Sequence, residues 1–470
     1  MHEDICFADA TELARRIRDK EVSPVEVVSA HLERISAINP KLNAVVTLAD
    51  DAMDKARAAE QAIMKGEMSS PLHGVPFTCK DSFDTAGIRT TRGSKLFEHR
   101  IATTDATAVA RIKNAGGILL GKSNTPEFTL WWETDNRVFG RTNNPWNLDL
   151  IPGGSSGGEA AALVTGLSAL GVGSDVGGSI RMPAHYCGVV GFKPTHGRVP
   201  LTGLFPEVLL RTMHVGPLAR TVRDAALALQ VMSGPDGADP WCVPVEPLGI
   251  PGHATAPLRL HVGWLADGVF APVDPEVRAV VENAANALRL AGCIVEHVSL
   301  PVLEETEVLA IPGVTGTPET GHYFAPMTRG WEYDLSAVMA RRLSGPWPNM
   351  REYTRCMVDW ETLRRGMMAY FSTYDLLLCP TLPAPAYPHG LRELTIDGTT
   401  IKARQKLVTV VPWNLTGSPA LSLPFGMSAG GLPIGVQLVG RHFEESVVLQ
   451  AAMALEEASP VRGKRPGLAA

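Results

Sequence analysis

The glycine- and serine-rich segment PGGSSGG, residues 152–158, constrains the fold most, because it runs directly into apolar sequence. Runs of glycine and serine commonly form flexible linkers. Here the following residues read as a small-residue helix over 157–165 and an apolar strand over 167–175. A linker is not expected to lead straight into a protein core. The sequence therefore predicts that this segment belongs to a folded domain.

Predicted strands and helices alternate through the first 200 residues, which is typical of an α/β fold with a largely buried sheet. After Arg220 the pattern weakens, but core-like strands return near the carboxyl terminus. We therefore expect a single domain over residues 1–470, with a peripheral subdomain at about 245–400. The predicted strands cover 43–49, 74–81, 117–124, 167–175, 191–195, 258–265, 294–300, 419–426 and 433–440. Within residues 375–388 a further predicted strand runs into a proline-rich loop. The predicted helices cover 8–20, 24–37, 51–66, 104–115, 157–165, 275–293, 351–373 and 444–458, and one more begins near Ser179.

The composition is ordinary for a soluble globular chain. Of 470 residues, 45% are hydrophobic and 20% are charged, so a substantial core can be buried. The net charge is −6, without the basic block that nucleic-acid binding favours. No apolar stretch reaches the ~20 residues of a transmembrane helix, and the amino terminus lacks signal-peptide character. We expect a cytoplasmic protein with no nucleic-acid or membrane partner.

The seven cysteines are odd in number, widely spaced and free of any CxxC pair. This spacing favours reduced thiols in a cytosolic enzyme over a disulfide framework or a zinc site. The zinc-protease pattern HExxH is also absent from the sequence.

A phosphate-binding loop is a second interpretation of the glycine-rich sequence. The GK[ST] ending that brings a lysine to the phosphates is missing. Residues 171–179, GVGSDVGGS, also fail the dinucleotide pattern GxGxxG, because Val176 stands at the third glycine position. Neither motif is therefore expected.

A nucleophile elbow is a third interpretation, since residues 153–157 and 154–158 both match GxSxG. The elbow needs a hydrophobic strand immediately before it, whereas the preceding sequence is turn-rich and ends in proline. His185, His196 and His214 follow in the chain, but nothing marks one of them as a base. The pattern alone does not favour this site.

A second stretch, DVGGSIRMP, supplies candidate groups for amide hydrolysis. Such a reaction needs an activated nucleophile, a base and N–H donors for the oxyanion. Ser179 follows two glycines at the predicted helix start, where the helix adds positive potential. Gly177 and Gly178 allow the backbone to turn N–H groups inward. The backbone of Val176, Gly177, Gly178 and Ser179 is therefore a candidate oxyanion hole.

Lys80 is the candidate base. It ends the apolar segment GVPFTCK, where burial would desolvate the amine and lower its pKa toward neutrality. A neutral amine can accept a proton. An exposed lysine at a strand end is the ordinary interpretation of such a residue in isolation.

Three segments together resemble the amidase signature family: GVPFTCKDSFDTAG, the long run from GGSSGGEAAALVTG to GFKPTHGRVP, and the closing LTGSPALSLPFG with LPIGVQLVG. The match spans nearly the whole chain and is dense from residue 73 to 200. The resemblance implies a mixed sheet flanked by helices on both faces and a Ser–cis-Ser–Lys triad. It assigns Ser179 as the nucleophile, Ser155 as the cis-serine and Lys80 as the base. The cis bond would precede Ser155, after Gly154.

Neighbouring polar residues match positions that support the site in this family. Asp175 and Arg181 flank the nucleophile, and the resemblance implies that they brace it rather than form an ordinary ion pair. Ser174 is expected to hydrogen-bond nearby, and Ser156 to close the glycine-rich loop. Cys187 is an alternative nucleophile without an evident base.

Trp131 and Trp132 lie in the family segment that runs over the substrate pocket, where small residues are common. Tryptophan more often packs in a core. We expect at least one of the two to line the pocket and to favour aryl or apolar substrates.

The predicted function is hydrolysis of amide C–N bonds through a Ser179 acyl-enzyme, with carbamates as a further substrate class. No metal or organic cofactor is required. The expected partner is a small-molecule substrate, and the expected state a monomer or homodimer. The alternative is the glutaminase subunit of a tRNA-dependent amidotransferase complex, although residues 318–345 lack the tyrosine-rich run associated with it. A non-catalytic relative is the third possibility.

Overall fold

Strands from both halves of the chain build one large sheet. The computed structural model describes residues 2–67, 70–249 and 257–469. The strands are β1 (Val45–Leu48), β2 (Pro76–Lys80), β3 (Ile118–Ser123), β4 (Leu170–Asp175), β5 (Val190–Lys193), β6 (His214–Ala219), β7 (His261–Trp264), β8 (Ile294–His297), β9 (Leu376–Pro380), β10 (Glu393–Ile396), β11 (Thr399–Lys402), β12 (Ala420–Met427) and β13 (Pro433–Gly440).

The helices alternate with these strands. They are α1 (His2–Cys6), α2 (Ala10–Arg18), α3 (Pro24–Leu42), α4 (Ala52–Met64), α5 (Thr107–Asn114), α6 (Gly157–Val164), α7 (Arg181–Cys187), α8 (Val222–Met232), α9 (Pro275–Leu290), α10 (Pro301–Glu304), α11 (Ala310–Thr328), α12 (Ala337–Leu343), α13 (Met350–Thr373), α14 (Val411–Leu415) and α15 (Glu445–Ala458).

The sheet is mixed, as expected. In the described part of the chain, eleven strands follow the order β1-β3-β2-β4-β6-β5-β12-β13-β9-β7-β8, and β10 and β11 form a separate hairpin. β2 runs parallel to both β3 and β4, and β7 runs parallel to β8 and β9, while the other neighbours are antiparallel. The prediction of a mixed sheet flanked by helices is confirmed.

The parallel pair β2 and β4 positions the site. Lys80 is the last residue of β2, and Asp175 is the last residue of β4. Because the carboxyl ends of neighbouring parallel strands lie at the same edge of a sheet, the two residues come close together. The glycine-rich segment immediately precedes α6, which leads into β4.

Some helix ends follow directly from local sequence. Ser23 accepts a hydrogen bond from the Glu26 N–H, and the Glu26 carboxylate accepts one from the Ser23 N–H, so α3 starts with a capping box. Pro24 occupies the first turn, as its fixed φ favours. Asn43 caps the helix in the left-handed conformation, so α3 runs past its predicted end at residue 37.

Other elements differ from the prediction. α7 begins at Arg181 rather than near Ser179, so the nucleophile candidate lies in the turn before the helix. β6 was missed, and so was α8, which falls in the stretch after Arg220 where the periodicity weakens. α11 was also missed, because Pro318 and Pro326 inside it are residues that usually end helices.

The proposed division of the chain remains a prediction. Strands β7, β8 and β9 of the 245–400 segment extend the central sheet, whereas the hairpin β10–β11 stands apart from it. Part of the segment's beginning, residues 250–256, lies outside the described residues.

All seven cysteines are buried free thiols. No helix within residues 2–67, 70–249 and 257–469 has both the length and the apolarity to cross a bilayer. The cytoplasmic location stays an expectation from the sequence.

The centre of the sheet provides a direct test of the packing. Leu438 in β13 lies between Leu421 of β12 and Leu378 of β9, and all three side chains are fully buried. We expect Leu438→Ala to lower the free energy of unfolding by about 2–5 kcal/mol, since it leaves a cavity in the core. Urea denaturation measures the change.

Leu290→Ala is the matched control, because this leucine is 91% exposed at the end of α9. Its effect should stay within about 0.5 kcal/mol. Equal losses in the two variants would contradict the burial of β13.

Candidate active site

The end of β2 brings an amine next to two hydroxyl groups. Lys80 Nζ donates hydrogen bonds to Ser155 Oγ at 2.6 Å and to Ser174 Oγ at 2.9 Å. Lys80 is fully buried, and both serines are nearly so. Three segments that are distant in sequence therefore meet at the lysine amine: β2, the glycine-rich loop and β4.

Burial determines the charge of this lysine. Removal from water lowers the pKa of Lys80 to about 7, while the carboxylates of Asp175 and Glu159 oppose the shift. An amine with a pKa in this range is partly unprotonated at neutral pH, so it can accept a proton as well as donate one. The exposed-lysine interpretation is wrong for Lys80.

The glycine-rich loop presents Ser155 to the lysine. The peptide bond between Gly154 and Ser155 is cis. Thr134 ties the loop down: its hydroxyl donates to the Gly153 carbonyl at 2.8 Å and accepts from the Gly157 N–H at 3.1 Å. The loop is thus held on both sides of Ser155, and the linker interpretation does not apply.

The same loop is bonded to the turn that carries Ser179. The Ser156 N–H donates to the Ser179 carbonyl at 3.1 Å, and Ser156 Oγ donates to the Ser174 carbonyl at 3.4 Å. Ser179 is 8% exposed and lines a cavity, unlike the buried Lys80 behind it. The buried amine is thus bonded to Ser155, and the turn that carries Ser179 at the cavity wall is bonded to the neighbouring residue of the same loop.

The turn before α7 differs from the expected oxyanion hole at one residue. The Gly178 N–H donates to the Asp175 carboxylate at 2.7 Å, so this group is already occupied. The N–H groups of Val176, Gly177 and Ser179 bond to no acceptor among the described residues. Val176, Gly177 and Ser179 also line the cavity. Gly178 thus shapes the turn instead of contributing a donor.

Asp175 and Arg181 form a fully buried ion pair beneath this turn. Arg181 Nε and Nη2 donate to the two carboxylate oxygens at 3.0 and 3.1 Å, in the bidentate geometry of strong pairs. The carboxylate also accepts from the Ile180 N–H at 3.1 Å and from Asn414 Nδ2 at 2.8 Å. Although burial alone would raise it, the pKa of Asp175 lies well below its usual range because of Arg181 and Asn414.

Arg181 extends this network to the carboxyl-terminal strands. Its guanidinium donates to Gln437 Oε1 at 2.8 Å, to Asn414 Oδ1 at 2.7 Å and to the Val410 carbonyl at 3.0 Å. An N–H group of a buried guanidinium that finds no acceptor destabilises the folded protein. These contacts therefore hold Arg181 in place and, through it, Asp175. The pair braces the turn before α7 and does not touch the cavity.

A cavity of about 840 Å³ opens in front of Ser179. Trp131 and Trp132 line it with their rings stacked, at a centroid distance of 3.6 Å. The backbone of these two residues packs on Gly154, where an added Cβ would lie 2.8 Å from the Trp132 carbonyl carbon. The tryptophan wall and the catalytic loop are therefore in direct contact.

Cationic groups also line the cavity. Arg341, Arg342 and Arg404 are among them, together with parts of α11 and α12. Burial, with the nearby charge of Arg404, lowers the pKa of Arg342 to about 10. The cavity therefore combines an aromatic wall with a basic wall formed by these three arginines.

Comparison with known proteins identifies the family. The family model described as "Amidase" matches residues 26–449. The chain belongs to the amidase signature family. A curated relative, the A subunit of the glutamyl-tRNA(Gln) amidotransferase of Moorella thermoacetica, is 36% identical over 99% of this chain and 99% of the relative.

Two solved structures show the same fold in small-molecule enzymes. The structure of 6-aminohexanoate cyclic dimer hydrolase with its substrate matches at a TM-score of 0.87 and 32% identity, covering 99% of this chain and all of that one. A bacterial aryl acylamidase of the amidase signature family matches at a TM-score of 0.86 and 30% identity, covering 97% and 96%. This amidase is thus similar to proteins whose names give different substrates.

The alternative nucleophile arrangements do not form in this amidase. The rings of His185, His196 and His214 contact backbone carbonyl groups and no serine hydroxyl of the described residues. Burial lowers the pKa of His185 to about 4, which makes it a weak base. Burial also raises the pKa of the Cys187 thiol well above its usual range, so this cysteine is unreactive.

Several residues of the site were missed by sequence reasoning. Asn414 and Gln437 reach Arg181 from elements more than 200 positions away in the chain. Thr134 anchors the catalytic loop, and Glu159 lies beneath Lys80. No local pattern marks the first three, while Glu159 is a charged residue inside a small apolar helix. No cluster of three His, Cys, Asp or Glu residues suited to a metal ion occurs among the described residues.

The turn before α7 should be sensitive to a methyl group at one glycine. Gly178 has φ +105°, and an added Cβ would lie 2.6 Å from Val410 Cγ2. We expect Gly178→Ala to lower the free energy of unfolding by about 1–3 kcal/mol through backbone strain and crowding. Chemical denaturation measures this loss.

Gly177→Ala serves as the neighbouring control, because its added Cβ would lie 3.6 Å from the nearest atom, Val411 Cγ2. Its stability should be unchanged or higher by up to ~1 kcal/mol. The described geometry of the turn would be wrong if the two alanines had the same effect.

Proposed function

We propose that this amidase cleaves amide C–N bonds through an acyl-enzyme on Ser179, with Lys80 and Ser155 moving the proton. The 2.6 Å hydrogen bond from buried Lys80 to Ser155 is the single observation that carries the proposal. It supports a base of suitable pKa that is already hydrogen-bonded to the hydroxyl that the family resemblance assigns to the relay. The triad assignment itself rests on the family resemblance together with this geometry.

Acylation begins with attack of Ser179 Oγ on the amide carbonyl carbon. As the new C–O bond forms, the Ser179 proton passes to Ser155 Oγ, and the Ser155 proton passes to Lys80 Nζ. The carbonyl oxygen becomes an oxyanion, which the free N–H groups of Val176, Gly177 and Ser179 would stabilise. Pre-positioned donors of this kind lower the barrier without reorganising during the reaction.

Leaving-group departure reverses the proton path. Lys80 returns a proton through Ser155 to the amide nitrogen as the C–N bond breaks, and the amine leaves. Water then attacks the acyl carbon and gives a proton to Ser155, which passes its own proton to Lys80. As the bond between the acyl carbon and Ser179 Oγ breaks, a proton returns from Lys80 through Ser155 to Ser179 Oγ, and the acid is released. These steps require no metal and no organic cofactor.

Activity should depend on the protonation of Lys80. The neutral amine is the form that can accept a proton. We therefore expect kcat/KM to be low in acid and to rise with increasing pH, with a midpoint near pH 7. Lys80→Met should reduce kcat/KM on the order of 10³-fold or more, because the base is lost. A pH series on purified protein with a chromogenic amide measures both effects.

Ser179→Ala is the companion variant, and a mass shift equal to the acyl group should appear on Ser179 only in the parent protein. Full activity of either variant, or an adduct at another residue, would disprove the assignment.

Two substrate classes have separate support. The name of the curated relative, the A subunit of glutamyl-tRNA(Gln) amidotransferase, favours glutamine as the amide and work within a complex. Relatives' names therefore support the glutaminase role better than an aryl substrate. The stacked Trp131 and Trp132 wall, and the similarity to an aryl acylamidase, favour aryl or apolar amides, with aryl carbamates as an extension of the same chemistry.

A substrate panel separates these classes. If the aromatic wall selects the substrate, the purified chain alone should hydrolyse a nitroanilide and an aryl carbamate, and Trp131→Ala should raise KM for the anilide about tenfold by removing ring contact. The same variant should leave KM for a small aliphatic amide unchanged, which is the internal control.

Turnover of glutamine alone, or dependence on added partner subunits, would instead favour the glutaminase role. In that case the aryl proposal fails, while the Ser179 chemistry stands.

A further inference from the structure

A buried carboxyl group beneath Lys80 has no part in the steps above. Glu159 lies in the first turn of α6, four residues after Ser155, and is fully buried. Glutamate is rarely buried without a charge partner or several hydrogen bonds. Its position therefore calls for a physical explanation.

The site around this carboxyl is incomplete in hydrogen bonds. Thr78 Oγ1 donates to Glu159 Oε2 at 2.6 Å, whereas Oε1 makes no hydrogen bond of good geometry among the described residues, although the Ser123 hydroxyl is near enough to lower the pKa of the carboxyl. Gly171 of β4 makes room for the group, since an added Cβ there would lie 2.5 Å from Oε2. The fold thus accommodates a carboxyl group that it does not fully satisfy.

Strand geometry places this carboxyl on the lysine side of β2. Thr78 and Lys80 are two residues apart, so their side chains lie on the same face of the strand. Thr78 binds the carboxyl directly, and Lys80 interacts with it through charge, without a hydrogen bond between them. Glu159 is therefore close enough to affect the lysine but not to block its contact with Ser155.

The other carboxylate near Lys80 is already committed. Asp175 accepts hydrogen bonds from Arg181, Asn414 and two backbone N–H groups, and it carries a full counter-charge in Arg181. Asp175 is the larger of the two carboxylate influences on the pKa of Lys80, and Glu159 is the second. Glu159 differs from Asp175 in that no arginine of the described residues pairs with it.

We propose that Glu159 is a positioning residue that stabilises the protonated state of Lys80 while the relay holds the nucleophile's proton. In a fully buried site the ammonium ion is costly unless a negative charge lies nearby. Glu159 supplies that charge without taking the proton from the relay. This inference rests on the proposed function, because it assumes that Lys80 is the base.

The surrounding charges agree with this role. Lys80 faces the region from β2, Lys122 from β3 and Asp175 from β4, and the charge of Glu159 also raises the pKa of the Cys79 thiol on the opposite face of β2. Lys122 donates from Nζ to the Phe83 carbonyl and to Thr85 Oγ1, and its charge lowers the pKa of Glu159 more than that of Lys80 does.

The titration of the carboxyl lies in the same range as that of the lysine. Burial raises the pKa of Glu159 to about 7, while Thr78, Ser123 and the two lysines oppose this. Because opposite charges stabilise each other, protonation of Lys80 favours ionisation of Glu159. The ionised carboxylate therefore favours the ammonium form of Lys80, and no proton of Glu159 has to move during the relay.

Glu159→Gln tests the role, since the glutamine oxygen can still accept from Thr78. Without the negative charge the pKa of Lys80 should fall, and the acid limb of kcat/KM should move to lower pH by about 0.5–1 unit. The plateau value should also decrease, because a weaker base accepts the proton less readily. A purely structural role would change the plateau without moving the acid limb.

Glu456→Gln is the matched control. Glu456 is another mostly buried carboxyl whose pKa burial raises to about 7, but it lies in α15 and accepts from the Val222 N–H. Its pH profile should coincide with that of the parent. A shift equal to that of Glu159→Gln would overturn the inference.

Thr78→Val provides a second route if Glu159→Gln proves unstable on thermal unfolding. Losing the hydroxyl raises the pKa of Glu159 further, so its charge is weakened and the acid limb should shift in the same direction by a smaller amount. An unmoved acid limb in folded Glu159→Gln or Thr78→Val would disprove the role. Active Lys80→Met protein would instead disprove the proposed function, so the two failures are distinguishable.

Discussion

The removal of the Lys80 amine from water is the constraint on which the site depends. A charged ammonium ion in this position would be strongly destabilised, and the amine therefore becomes a base near neutral pH. That effect requires dense packing around the end of β2, yet the amine must still reach hydroxyl groups. Ser155 and Ser174 meet this need, because they offer hydrogen bonds without adding charge.

The Asp175–Arg181 pair has a different task, which is to hold the backbone of the turn before α7. One carboxylate oxygen takes the Gly178 N–H, and the other takes the Ile180 N–H, so these two groups point into the protein. The N–H groups between and beside them are left free at the cavity wall. Because the Gly178 and Ile180 N–H groups are bound to Asp175, the turn is held in a conformation that leaves the neighbouring N–H groups without an acceptor. Unpaired N–H groups of this kind are what an oxyanion hole requires.

Sequence reasoning captured what is local and missed what is assembled at a distance. Lys80 follows an apolar strand and Ser179 follows two glycines, so both stand out within a few residues of sequence. The contacts of Asn414 and Gln437 with Arg181 arise only when the carboxyl-terminal strands reach the sheet, and no nearby residue marks them. The start of α7 was predicted near Ser179, but the helix begins at Arg181 and Ile180 is the residue before its first turn. α11 was not predicted, because it contains two internal prolines and proline within a sequence usually indicates that a helix ends.

The origin of the cavity walls explains why chemistry and substrate can be separated in this amidase. Lys80, Ser155 and Ser179 all come from the first 200 residues, where strands β2 and β4 set their positions. The basic wall comes from later segments, including α12 and the region after β11, which do not hold the relay. Residues of those segments can change without disturbing the bond between Lys80 and Ser155. The same fold therefore occurs in proteins whose names give different substrates, such as the cyclic dimer hydrolase and the amidotransferase relative. The Trp131–Trp132 wall is the exception, because it packs directly on Gly154 and so links substrate fit to the loop that carries Ser155.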